Sequence, residues 1–166
     1  MALARRHPNV ANLVDIDGSS IGNGKRFAAV AKRLGAATGG QAIGCSWYEV
    51  APGKTAFPRH FHCANEEALF VLEGEGTLRI GDESVPLHAG DYVTLPVGPA
   101  HAHQLLNTGT GELRYLALST MHAVEVVGYP DSKKIGAVAA SRGERWLRLI
   151  ARESSAVDYY DGEDAE

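Results

Sequence analysis

Between Gln41 and Ser119 the chain is cut into short β-branched and aromatic runs. CSWYEV, EALFVLE, GTLRI, DYVTLP and LRYLALS are separated by PGK, GEG, GDE, HAGD, PVGP and NTGTG. Side chains branched at Cβ or carrying a ring suit a pleated surface, while Gly, Pro, Asn and Asp supply the backbone angles of tight turns. The turn signals return roughly every 8–12 residues, the spacing of a sandwich or small barrel. No helical stretch in this region is long enough for parallel crossovers, which excludes a doubly wound nucleotide-binding fold. The expected fold class is all-β.

The flanks are less regular. From Met1 to about Gly40, FAAVAKRLG reads either as a short helix with Phe27, Val30, Ala31 and Leu34 on one side or as a strand alternating Phe27, Ala29 and Ala31. After Ser119 come a proline-containing connector, EVVGYPDSKKIG, and a last apolar stretch, ERWLRLIAR. The tail from Asp158 to Glu166 holds five acidic residues among nine and reads as a solvated end. The expected organisation is an N-terminal extension over 1–40, a barrel over 41–120, a connector and final strand over 121–157 and an acidic tail over 158–166. At 166 residues and 45% hydrophobic, the chain has the material for one domain with an ordinary core.

Charge and hydropathy exclude some function classes. The net charge is -4, and the 16 Lys and Arg are scattered, so no surface is built to neutralise a phosphate backbone and no nucleic-acid partner is expected. No run reaches the roughly 18 apolar residues of a membrane span, and MALARRHPNV lacks the apolar stretch of a secretory signal; the expected address is the cytoplasm, with no membrane partner. Cys45 and Cys63 are too few for a disulfide framework and read as reduced packing residues.

Four of the seven histidines form two His-x-His pairs, His60/His62 and His101/His103. Residues two apart in a strand point to one face, so each pair can aim two imidazoles at a common point. A lone strand histidine is ordinarily a satisfied core or surface residue. Two such pairs in one small β domain favour a metal centre.

The first pair sits in PGKTAFPRHFHCANEEALFVLEGEG, which resembles the first conserved motif of the cupins: a Gly, then His-x-His, then Glu, then Gly. Six residues separate Glu67 from Gly74, as in that motif, so Glu67 and not Glu66 is the matched carboxylate. Six residues also lie between Gly53 and His60, one more than the family pattern has. The second motif, Gly, Pro, Gly, His, Asn, is matched by Gly90, Pro96 and Gly98 in GDYVTLPVGPAHAHQLLNTG. Beyond Gly98 the register divides, because counting forward gives His101 and counting back from Asn107 gives His103. We favour His103, since Asn107 and the strand after it continue the pattern and an even insertion after Gly98 keeps both imidazoles on the inner face. His101 is then a neighbour of the site, a substrate contact or an alternative ligand.

The resemblance covers about Gln41 to Ser119 and extends to small single-domain bacterial cupins with an added N-terminal strand region and endings like YPDSKKIG and VDYYDGE. It implies a double-stranded β-helix, the jelly-roll cupin barrel, with N- and C-terminal extensions. It also implies one divalent metal held by His60, His62, Glu67 and His103. Three imidazoles and a carboxylate suit iron, manganese, cobalt, nickel, copper or zinc and disfavour calcium or magnesium. Coordination positions left open by four protein ligands would admit water, dioxygen or a bidentate substrate. The family's range spans dioxygenases, isomerases, cyclases, lyases and ligand binders. The expected function is therefore a metal-dependent reaction on a small oxygenated or aromatic metabolite. A non-catalytic sensor and a metal-stabilised structural barrel stand as the alternatives.

The remaining polar and aromatic residues have plainer roles. By parity Cys63 points away from His62, and Asn65 and Glu66 belong to a turn. His7 and His88 read as solvated. Arg59 reads as a surface charge, although a guanidinium beside His60 could orient a carboxylate. Trp47, Tyr48, Phe57, Phe61 and Phe70 are core or interface aromatics, of which those on the inner face could line a pocket. Leu69 and Val71 share the inner face with Glu67, whereas Ala68, Phe70 and Leu72 face outward. A strand apolar on both sides needs cover, either from the first forty residues or from a second subunit, so a homodimer is expected.

Overall fold

The computed structural model describes residues 7–141 and 144–163. The first six residues and the last three of the acidic tail, on which two of the expectations above partly fall, lie outside the described residues. Two N-terminal strands, β1 (Ser19–Asn23) and β2 (Phe27–Lys32), precede a single helical turn, α1 (Leu34–Ala37), and a long strand, β3 (Ile43–Val50). Then follow β4 (Phe61–His62), β5 (Glu67–Glu73), β6 (Glu75–Ile80), β7 (Glu83–His88), β8 (Tyr92–Leu95) and β9 (His103–Leu106). The chain finishes with β10 (Leu113–Thr120), β11 (Val124–Tyr129), β12 (Lys134–Ser141) and β13 (Glu144–Arg152). The fold is all-β, and no described helix is long and apolar enough to cross a membrane.

Three antiparallel sheets enclose the interior, in the orders β1-β2-β3-β10-β5-β8, β13-β12-β11-β4 and β7-β6-β9. Alternation in the central strands decides which face is buried. On β10, Leu113 and Tyr115 are buried, while the intervening Arg114 lies on the outer face and joins Glu49 of β3 at 2.7 Å and Glu73 of β5 at 2.6 Å. On β5, Leu69 and Val71 are buried as their parity with Glu67 requires, and Phe70 and Leu72 stay 36% and 41% exposed. With Tyr48, Val50, Leu78, Leu87, Leu95 and Leu105 they form one continuous core.

Two of the motif residues are explained by backbone demands. Gly74 turns β5 into β6 with φ 82°, and a Cβ there would collide with the carbonyl oxygen of Glu112. Asn107, 1% exposed, donates from Nδ2 to the carbonyls of Val50 (2.6 Å) and Gly111 (2.8 Å) and accepts from the Gly109 N–H, so it staples the turn before β10 to the end of β3.

The flanks depart from the sequence reading in informative ways. FAAVAK is a strand, because β2 finds backbone partners in both β1 and β3 and buries Ala29 and Ala31; helix begins only at Leu34 and lasts four residues. The stretch read as a connector holds two strands, β11 and β12, which glycines, Pro130 and the alanine-rich GAVAA disguised. β1 and β2 extend the sheet beside β3 and do not lie over the outer face of β5, so among the described residues the first forty leave Phe70 and Leu72 uncovered. ERWLRLIAR is β13, the edge of its sheet, with Trp146 66% and Leu149 53% exposed.

Candidate metal centre

The four residues singled out from the sequence come together at or beside strand ends. His62 closes β4, Glu67 opens β5 and His103 opens β9, while His60 is bridged to His103 by paired backbone hydrogen bonds of 3.0 and 2.8 Å. This pairing places one residue of each histidine pair side by side, with ring centroids 4.6 Å apart. The Nε2 atoms of His62 and His103 each lie 3.3 Å from Glu67 Oε2, and that of His60 lies 3.8 Å from it. His60, His62 and Glu67 alone already offer three ligand atoms within 4.8 Å of one another.

The far side of each ring fixes what the near side can do. His60 Nδ1 is 2.9 Å from the carbonyl oxygen of Pro58, and His103 Nδ1 is 3.0 Å from that of His101. A carbonyl oxygen only accepts, so the proton of each neutral ring sits on Nδ1, and Nε2 presents its lone pair to the centre. His62 Nδ1 faces Glu125 Oε2 at 3.5 Å, and both of its ring nitrogens are buried without a hydrogen bond, the 3.3 Å approach to Glu67 being off-line for one. Lone pairs that converge on a carboxylate, with no proton between them, fit a cation better than they fit each other.

Electrostatics holds the donors in ligand form. Burial and the neighbouring His103 push the His60 imidazole down to about 4, so it is neutral at physiological pH. Burial would raise the Glu67 carboxyl, but its contacts with His103 and His62 outweigh that and hold it well below the usual carboxylate range. For His62, burial pulls downward while Glu67 and Glu125 pull harder upward, leaving the ring above its ordinary value.

Glu125 is the residue sequence reasoning missed. It is 7% exposed and accepts backbone N–H bonds from Cys63 (3.0 Å), Ala64 (3.1 Å) and Asn65 (2.6 Å), the three residues that follow His62. One carboxylate thus shapes the turn between two candidate ligands and faces the outer nitrogen of one of them. The available signal was parity, because Glu125 alternates with Val127 and Tyr129, which line the central cavity.

That cavity measures about 250 Å³ and borders all four candidate ligands. Its aromatic wall includes Tyr48, which stacks on Tyr115 at 5.3 Å and meets the edge of Phe57 at 5.3 Å. Tyr115 and Tyr129 carry no motif and went unnoticed in the sequence; Tyr48 and Phe57 are two of the aromatics expected to share the inner face. Burial, then the nearby Tyr48 and Glu67, keep the Tyr115 phenol protonated far above neutrality. Gln104 reaches the same wall, its oxygen 3.2 Å from Arg79 Nη1 and its amide donating to the Phe57 carbonyl at 2.8 Å.

His101, Arg59 and Cys63 do not line this cavity. His101 ends a short 3-10 turn and contributes its carbonyl to His103; Cys63 is an exposed free thiol. Arg59 donates to the carbonyl of Gly81 and pairs with Asp131, which Arg79 also holds at 2.9 Å. An alanine at position 101 keeps the backbone carbonyl that orients His103, so His101→Ala is expected to retain metal. His103→Ala is expected to lose at least the ~10–100-fold in affinity that removal of an outer partner alone costs. Chelator competition on both variants reads the difference, and a reversed order would transfer the ligand role to His101.

Residues 46–119 match the family described as the cupin domain. Over 76 residues the chain is 32% identical to quercetin 2,3-dioxygenase of Bacillus subtilis strain 168, a match covering 45% of this chain and 23% of that enzyme. The chain therefore spans only about a quarter of that relative's length. A crystal structure from Acidithiobacillus ferrooxidans, provisionally named a sugar phosphate isomerase, superposes with a TM-score of 0.76 at 26% identity, over 91% of this chain and 96% of that one. Another, from Thermotoga maritima and predicted to be an oxalate decarboxylase, superposes at 0.60 with 26% identity, over 68% of this chain and 99% of that one.

Proposed function

We propose that this chain, whose residues 46–119 match the cupin domain family, holds one divalent transition metal through His60, His62, Glu67 and His103 and catalyses a reaction of a small oxygenated molecule in the adjoining cavity. The observation that carries this reading is the convergence of three Nε2 atoms on Glu67 Oε2, with two of the rings tied back through Nδ1 to backbone carbonyls. When bound, such an ion supplies Lewis-acid polarisation or a site for dioxygen chemistry. The protein's own groups do the rest. Tyr48, Phe57 and Leu69 present apolar surface that excludes water from the cavity. Tyr115 borders the cavity as a neutral phenol near Glu67, a proton donor for a ligand oxygen bound there. A cavity of about 250 Å³ lies just below the ~300–1,000 Å³ of sites for drug-sized ligands, which favours a molecule of about one ring or smaller.

The three relatives carry names from different reaction classes, a dioxygenase, an isomerase and a decarboxylase, and all three names describe chemistry on oxygen-rich substrates. The test is elemental analysis of tag-free protein, anaerobic reconstitution with single metals, and a turnover screen with and without dioxygen. Metal-dependent turnover is the expected result. Ligand binding without turnover would favour the sensor. The apo-protein is expected to stay folded after chelation, since Val71, Leu113 and Leu78 and not the ion supply the core. A chain that unfolds on chelation would make this a structural barrel.

A further inference from the structure

A second cavity, of about 320 Å³, shares Tyr48, Glu67 and Ala117 with the first and is lined in addition by Arg33, Ser46 and Ser119. Strand register explains the continuity. Tyr48 stands opposite Tyr115, Ser46 opposite Ala117, and Ser119 opposite Glu67, so these side chains form one inward row from the aromatic wall past Glu67 toward the end covered by α1. At that end Arg33 donates from Nη1 to the Tyr48 hydroxyl at 2.7 Å and to Ser46 Oγ at 3.2 Å, with its guanidinium carbon 5.7 Å from the Tyr48 ring centre. No carboxylate lies within ion-pair range of Arg33 among the described residues, and its Nε and Nη2 make no hydrogen bond there. Arg59, Arg79 and Arg114 each have a carboxylate partner, whereas Arg26, which has none, donates to Gln104 at 3.5 Å and lies over the Phe27 ring.

We infer that Arg33 is an anion-binding residue of the substrate site, and that the substrate is a small organic anion with a carboxylate or phosphate on Arg33 and a pair of oxygens facing Glu67 and the three histidines. An exposed guanidinium held through Nη1 by a buried tyrosine and a serine, with its Nε–Nη2 edge unoccupied, has the geometry and charge to receive a carboxylate or phosphate bidentately. Tyr48 couples the two ends, its ring walling the first cavity and its hydroxyl anchoring Arg33. The inference rests on the metal reading above for the position of the substrate's other end.

The test compares glycolate, malate and glycerate 3-phosphate by titration calorimetry on the cobalt-loaded full-length protein. All three offer a chelating pair of oxygens, but only the last two carry a second, remote anion. Wild type is expected to bind malate or glycerate 3-phosphate at least about tenfold more tightly than glycolate, and whichever is tighter identifies the anion as carboxylate or phosphate. Arg33→Met should abolish that preference and leave glycolate affinity and cobalt content unchanged, and Arg33→Lys should restore part of it. Wild type without the preference, or Arg33→Met with it intact, overturns the inference. Cobalt content, measured on the same samples, reports separately on the metal reading. A protein that takes up no cobalt yet loses malate binding in Arg33→Met would fail that reading and keep this one.

Discussion

Replacing His62 with alanine is expected to empty the metal centre while the barrel stays folded. His62 contributes one of the three converging imidazoles, and its buried ring nitrogens lie 3.3 Å from Glu67 and 3.5 Å from Glu125 without a hydrogen bond to either, an arrangement that suits a ligand. Its removal should exceed the ~10–100-fold cost in affinity that follows from losing an outer partner of a ligand. The fold should tolerate the change because the ring borders an existing cavity and lies outside the cluster around Leu69, Val71, Leu113 and Tyr115. Elemental analysis with thermal unfolding of the same sample checks both halves. Full occupancy in His62→Ala would remove His62 from the ligand set.

Glu125→Ala should produce the largest loss of stability at the site. The substitution strips the acceptor from the part-buried backbone N–H groups of Ala64 and Asn65 and one of two from that of Cys63, which keeps the Val126 carbonyl at 2.9 Å. Each of the two stranded donors costs about 1–3 kcal/mol, which partial access of water at this half-buried turn reduces to a total of roughly 2–4 kcal/mol. Metal affinity should fall as well, by about 10–100-fold, because the turn that carries His62 toward Glu67 loosens and His62 Nδ1 loses its carboxylate neighbour. Urea unfolding gives the first number and chelator competition the second. Lower stability with unchanged affinity would make Glu125 a brace of the turn alone.

How much of this was legible in the sequence depends on whether the signal is local. Strand alternation and glycine-rich turns between Gln41 and Ser119 announced β5, β6, β8 and β10, because period and turn chemistry are written within a few residues. The same holds for His60, His62 and Glu67, whose spacing around one short strand and one turn determines which way they point. β11 and β12 were hidden, since Gly128, Pro130 and Gly136 interrupt their pattern and only pairing with β4 and β13 makes them strands. Glu125 was invisible for a related reason. Its partners are about sixty residues away, and within EVVGY only its parity with Val127 and Tyr129 points to the inner face. Arg33 likewise acquires meaning only when β3 brings Ser46 and Tyr48 beneath it. The choice of His103 over His101 rested on parity and on Asn107, and both are features of the folded barrel: His103 opens β9 facing Glu67, and Asn107 closes the turn beyond it.

The most direct measurement is an anomalous difference map from crystals of the cobalt-loaded protein, collected on either side of the cobalt absorption edge. A single strong peak per chain is predicted among His60 Nε2, His62 Nε2, His103 Nε2 and the Glu67 carboxylate. A map with no peak there, or with its peak on other side chains, would contradict the metal centre and the function built on it.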